Sequence, residues 1–245
     1  MISRSILGAS VLWIAASAFA QPWTPLISLG AGAAIITDAG QSQNFPAAIP
    51  GVFEFYNYAN DQKTQTPPVL DGFVGAEWHK SPRVALQLGL DYNQPAPYSV
   101  NGTLTQGLDA QSANTYTYHY NVSSQQLLVE SKLLYMGMGA FHPYLLAGLG
   151  AAFNTANTYS TNVPYTESFT RAYQDHTTTA WSYALGTGLD FDITPHIRFG
   201  LGYRFADLGE VALGAGTIND VAVTGTLSQT HLYTNEILAQ LTALF

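Results

Sequence analysis

The sequence contains no cysteine, so neither a disulfide framework nor a thiolate metal site can hold it together. Charge is scarce as well: Asp, Glu, Lys and Arg make up 10% of the chain, against roughly a quarter in an ordinary soluble domain. Eight basic residues face sixteen acidic ones, for a net charge of −8, and the basic residues form no cluster. Phosphate neutralisation needs clustered Lys and Arg, so nucleic acid is excluded as a partner. No stretch beyond residue 20 approaches eighteen uninterrupted apolar residues, which excludes membrane-spanning helices. What is abundant is apolar and aromatic side chains, 47% and 13% of the chain. That is far too many for a disordered chain, so they must be buried against a core or against lipid.

The first twenty residues read as a cleaved signal peptide. Arg4 sits in a short polar start, Ile6 to Ala16 is apolar, and Ala18-Phe19-Ala20 frames a cut before Gln21. Residues 21–245 then form one domain with a net charge of −9, because Arg4 leaves with the leader.

Within that domain the dominant signal is alternation with a period of two, which belongs to strands with unlike faces. Ile197, Phe199, Leu201, Tyr203 and Phe205 share one face, while Arg198, Gly200, Gly202 and Arg204 share the other. Val84 to Tyr92 and Trp181 to Phe191 alternate in the same way. Weaker versions lie near Trp23 to Ile36, Val69 to His79, Ser123 to Met136, Pro143 to Asn154 and Gln229 to Phe245, which makes eight strands. The connections alternate too. They are short around Lys80 to Pro82, Gly137 to His142 and Thr194 to Pro195, and long over 37–68, 94–122, 155–176 and 207–228. Such a sequence describes an up-and-down meander, with long stretches that read as loops because they are rich in Asn, Thr, Ser, Gln, Gly and Pro.

The polar face decides what the apolar face touches. A soluble barrel would carry Lys and Glu there. Here it is narrow and glycine-rich, at Gly30 and Gly32, Gly148 and Gly150, Gly186 and Gly188, Gly200 and Gly202. Small side chains suit the crowded interior of an eight-stranded barrel. The few strand charges share this phase: Glu77, Arg83, Asp91, Glu130, Lys132, Asp190, Asp192, Arg198, Arg204 and Glu236. Buried charges must be paired, so these ten are expected to form an interior network. Lipid would then meet Leu, Ile, Val and Phe, with Trp23, Trp78, Tyr92, Tyr135, Trp181 and Tyr203 as interfacial girdles. Closure follows because an open sheet edge in hydrocarbon leaves backbone groups unpaired. The expected fold is therefore all-β: a closed antiparallel up-and-down transmembrane β-barrel of eight strands, with four long extracellular loops and short periplasmic turns.

The segments PYLLAGLGAAF (Pro143 to Phe153), YALGTGLDFDITPHIRFGLGYRFADLG (Tyr183 to Gly209) and the terminal LTALF resemble the small outer-membrane β-barrel family, the group of OmpA-like and OmpW-like transmembrane domains. The resemblance implies location in the cell outer membrane, outer-membrane lipid around the barrel, and Phe245 as the signal read by the outer-membrane assembly machinery. The sequence given stops at Phe245, so the peptidoglycan-binding domain that some OmpA-like barrels carry is not expected.

For function, the reading is a structural or surface-interaction protein whose long loops meet a surface or host ligand. Tyr116, Tyr118, Tyr120, Tyr159 and Tyr165 are the contact candidates, set against the alternative that such tyrosines pack the loops onto one another. A narrow channel for small ions or apolar solutes ranks second. A lipid-modifying enzyme ranks third, since some barrels of this kind act on lipid. His231 with Ser228 or Ser182 is the nearest approach to a His and Ser pair, and no adjacent signature supports it. No enzyme activity, cofactor or metal is expected, although His119, His176 and His231 fall near one rim.

Overall fold

The computed structural model describes residues 23–37, 39–46, 55–61, 63–107, 114–162, 171–218 and 220–245. The signal peptide and Tyr165 lie outside the described residues. The described chain forms sixteen strands: β1 (Thr24–Ile35), β2 (Gln43–Pro46), β3 (Phe55–Asn60), β4 (Pro68–Ser81), β5 (Val84–Pro95), β6 (Tyr98–Gly107), β7 (Asn114–Tyr135), β8 (Phe141–Asn162), β9 (Ala172–Tyr173), β10 (His176–Thr194), β11 (Ile197–Asp207), β12 (Val211–Ala212), β13 (Gly216–Ile218), β14 (Val221–Val223), β15 (Ser228–Gln229) and β16 (Tyr233–Leu244).

Eight of them close a ring. Antiparallel pairing runs β1–β4–β5–β7–β8–β10–β11–β16 and returns from β16 to β1. Each strand has a neighbour on both sides, so no edge is left and every ladder group can be satisfied. Along the ring the side-chain phase follows the sequence reading. Arg198 and Arg204 are buried, while Phe199, Leu201 and Tyr203 point outward. Outward aromatics collect at both ends. Trp23 stacks on Trp78 at 5.9 Å and Phe141 meets Phe191 at 5.0 Å near the short turns, while Tyr92, Trp181 and Tyr233 stand near the other rim.

Glycine makes room for what fills the interior. A Cβ on Gly202 would lie 2.1 Å from the Tyr144 hydroxyl, and one on Gly188 would lie 2.5 Å from it. Tyr144 therefore lies across a floor that only glycine leaves free. Its ring in turn carries the Lys132 ammonium at 3.8 Å.

The long connections depart from the loop reading. Thr, Tyr and Val alternate through β6 and the first half of β7, and this alternation pairs them, with β3 and β2 added beyond. β7 and β8 continue together from the barrel and stay paired as far as Thr117 and Asn162. Where they leave the barrel, Thr158 adopts φ 58°, and the register shifts between His119 and Asn121. This β-bulge reverses the phase of β8, so that Tyr159 turns inward. The freed Thr158 N–H donates to Asp175 Oδ1 at 2.9 Å.

Leu201, on the outward face near mid-strand, tests this orientation. Leu201→Arg is expected to cost about 2–4 kcal/mol in lipid vesicles, read from urea unfolding. An unchanged midpoint would mean that Leu201 does not face lipid.

Candidate functional site

The ring wall turns polar side chains from all eight strands into one narrow lumen, and they sort into two charge clusters. At its centre Arg204 of β11 is 3% exposed. Its Nη1 lies 2.9 Å from both Asp71 and Asp91 and 4.0 Å from Glu130, and its Nε lies 3.7 Å from Glu236. Its Nη2 donates to Gln126. Uncharged donors serve two of the carboxylates: Gln240 bonds Asp71 at 2.9 Å, while Asn93 and Thr234 each bond Glu236 at 3.0 Å. One guanidinium thus cross-links five strands. Toward the short turns Lys132 pairs with Asp190 at 2.8 Å, and Arg198 spans Glu77 at 2.7 Å and Asp192 at 2.8 Å. His142 holds Asp192 at 2.6 Å, and Gln87 donates to Glu77 at 2.8 Å.

Above the barrel the tyrosines form a second filling. Tyr56, Tyr58, Tyr116, Tyr118, Tyr120 and Tyr173 are buried with Val100, Leu104, Leu208 and Leu213 in one cluster that reaches down into the barrel. Tyr58 meets Tyr118 edge-on at 5.2 Å, and Tyr159 meets Tyr173 at 4.9 Å. Arg171, 1% exposed, fastens the cluster from above. It donates to the carbonyls of Thr224 and Pro46, each at 2.8 Å, and lies over the rings of Phe45 and Tyr56. Burial pushes the Tyr118 phenol up to about 12, with Asp61 adding to the rise, and burial raises Tyr58, Tyr98, Tyr120, Tyr159 and Tyr173 as well.

The outer face of this head is built differently. Cross-strand pairs there are Thr103 with Thr117, Thr105 with Thr115, Asn101 with His119, and Ser123 with Thr155. Ser99 donates to Asn121 at 2.7 Å, and the hydroxyls of Thr155 and Thr177 meet at 2.8 Å. None of these outward positions carries Asp, Glu, Lys or Arg.

A closed eight-stranded ring with aromatic girdles, an apolar exterior and a charged interior is the anatomy of a transmembrane barrel. A family model described as "Outer membrane protein beta-barrel domain" matches residues 7–234. The chain belongs to that family. The outer-membrane barrel fold is shared with OprG of Pseudomonas aeruginosa, at 14% identity and a TM-score of 0.51, covering 90% of this chain and 96% of that one. It is also shared with the protease OmpT of Escherichia coli, at 8% identity and a TM-score of 0.50, covering 91% and 95%. No curated protein matches the sequence. The protein is accordingly an outer-membrane β-barrel protein of the cell outer membrane, surrounded by lipid.

Inside this outer-membrane barrel, nine of the ten expected charges fall in the two clusters. Arg83 does not: it sits exposed in the turn between β4 and β5, where the chain has left the wall and its side chain reaches water. Asp71 takes part instead, fully buried against Arg204. Sequence reasoning passed over it, although it shares the phase of Glu77 on β4. The interior thus holds seven carboxylates, at Asp71, Glu77, Asp91, Glu130, Asp190, Asp192 and Glu236, against Lys132, Arg198 and Arg204. Tyr116, Tyr118 and Tyr120 also need correction as surface contacts. They are at most 9% exposed, because their phase on β7 points into the head, and Tyr159 is half-buried among them.

The rim histidines do not converge. His119 bonds Ser160 and His231 bonds Asp207, and among the described residues no group of three or more His, Asp or Glu could hold a metal. His231 also lacks a serine. Ser182 is buried in the lumen, where it bonds Gln126 and the Asp207 carbonyl, and Ser228 meets Gln43.

Two outcomes follow. Arg204→Leu leaves four carboxylates facing one another and should lower stability by about 3–5 kcal/mol in urea titrations, whereas Arg204→Lys should restore part of it. The raised phenols act on the head through linkage. Below the ordinary value near 10 both folded and unfolded phenols are neutral, so this part of the stability is fully present. It is lost as pH rises from about 10 through the folded-state values. Tyrosinate absorbance and limited proteolysis of the head should therefore change together above about pH 10.

Proposed function

We propose that the protein is a sealed surface-interaction protein, in which the barrel anchors a rigid extracellular head and the head's outer face meets a surface or host ligand. The observation that carries this reading is the length of β7 and β8, 22 residues each. A tilted transmembrane strand needs about 9–11 residues. Roughly half of each strand is therefore available beyond the hydrocarbon, and the packed tyrosines and Arg171 hold that half rigid. A pre-ordered surface loses little entropy on binding. Where β6, β7 and β8 pair, its outer face offers hydroxyl and amide groups in register, with no Asp, Glu, Lys or Arg among those pairs, which suits a polar uncharged partner.

The lumen argues against the channel reading. Arg204 with its four carboxylates, Arg198 with Glu77, and the tyrosine cluster above lie in series across a bore that eight strands already make narrow. The lipid-enzyme reading gains an acid for His231, but Ser182 and Ser228 bond other groups. Phe245 lies 74% exposed at the end of β16, beside the short turns, where we expect the assembly machinery to read it.

In planar bilayers the refolded protein should show no discrete conductance steps, and trimming residues 99–121 should abolish partner binding while the heat-modifiable gel shift of the barrel is retained. Regular single-channel steps in the intact protein would sink the sealed-anchor reading and restore the channel.

A further inference from the structure

A recess of about 340 Å³ opens at the outer rim, where the chain enters β16. Among its described walls are Thr37, Gln41, Gln229, Thr230, His231 and Tyr233, none of them Lys, Arg, Asp or Glu. The walls are fixed. Gln229 accepts a hydrogen bond from the Gly40 N–H and donates to the His231 carbonyl, both at 2.8 Å, which ties the two chain segments together. Asp207 lies 2.9 Å from His231 Nδ1, and its other carboxylate oxygen accepts the Gly209 N–H at 2.8 Å. The imidazole is thereby held in one orientation with its side chain 54% exposed.

The recess continues onto the barrel wall as a row of rings. His231 lies parallel to Tyr233 at 5.6 Å, Tyr233 stacks on Phe205 at 5.6 Å, and Phe205 meets Tyr183 at 6.3 Å. The row crosses β16, β11 and β10 on their outward face, from the recess to Tyr183, which faces Asp207 across the ladder as Tyr233 does, and it borders the outward-facing Leu185 and Leu201.

Ring faces beside hydroxyls and a carboxamide, with no Lys or Arg among the described walls, suit a ligand that is itself neutral, rich in hydroxyls and apolar on one face. A pyranose sugar has that chemistry. A phosphate would call for Lys or Arg. The volume lies at the lower end of the range for small-molecule sites, enough for one or two sugar rings. We propose that this recess binds the neutral sugar headgroup of a glycolipid in the surrounding outer leaflet, with the row Tyr233–Phe205–Tyr183 lying along its lipid part. Continuity with the lipid-facing wall favours a membrane-borne sugar over a free one. The site is separate from the head's outer face and does not depend on what that face binds.

The test uses the full mature chain refolded in vesicles of equal monoglucosyl diacylglycerol and phosphatidylglycerol, followed by native mass spectrometry of the lipids it retains. The wild type should retain the glucolipid in preference to phosphatidylglycerol. Tyr233→Ala should reduce that preference about fivefold, the scale of one lost ring contact. Tyr203→Ala, an outward aromatic outside the recess, should leave it unchanged, and the heat-modifiable gel shift certifies that each variant is folded. Absence of preference in the wild type, or equal preference in wild type and Tyr233→Ala, would overturn the site. Displacement of the glucolipid by free glucose would assign the recess to soluble sugar and overturn the lipid source. None of these results bears on conductance or on partner binding by the head, so the two readings stand or fall separately.

Discussion

A polypeptide backbone in hydrocarbon has no water to bond to, and the rest of this structure follows from that condition. Eight strands meet it by pairing in a ring, and the ring then dictates everything inside it. The bore is too narrow for large side chains at every position, so glycine alternates with bulk. Tyr144 lies over Gly188 and Gly202, and Lys132 rests on Tyr144. Whatever charge enters such a space must find its counter-charge there, and Arg204 serves four carboxylates drawn from four other strands. Such a cluster is poor evidence of stability gained over an apolar core, since desolvation offsets much of the attraction. Its effect here is registry: each strand contributes one fixed point to a shared centre.

Much of the barrel was legible because its rule is short-range. Parity along Ile197 to Phe205 assigns Arg198 and Arg204 to the lumen without knowledge of their partners, and the structure places them there. The same rule applied to β4 would have found Asp71 beside Glu77. Arg83 misled because parity has meaning only while the chain stays in the wall, and two residues of turn remove it. The head was less legible for a related reason. Its strands carry Thr, Ser, Asn and Tyr among only a few Leu and Val, so composition read as loop, while the alternation that pairs β6 with β7 was already present from Tyr98 to Gln106. Tyr116, Tyr118 and Tyr120 could be assigned a common face from sequence, but whether that face met water or other loops depended on contacts more than forty residues away, such as Tyr58 and Tyr159.

Two fillings of opposite character therefore lie end to end. The lower one is ionic and held by cross-strand pairs; the upper one is aromatic, fastened by Arg171 through backbone carbonyls on two separate connections. Both positive centres are arginines, whose planar donors can serve several acceptors at once. The difference lies in the acceptors. Carboxylates pair Arg204 within the lumen, while carbonyls and ring faces receive Arg171 where the strands no longer form a closed wall.

The bulge at Thr158 separates the two regions in another sense. Below it, inward and outward are fixed by the membrane, and a single inserted residue would turn every lipid-facing side chain of that strand into the lumen. Thr158 is itself such an extra residue, already absorbed by a left-handed turn and an Asp175 side chain. The strand above it keeps its own reading frame. A change of length in the part of β8 above it can therefore be absorbed without being transmitted to the lumen, so one strand carries two reading frames joined at a single threonine.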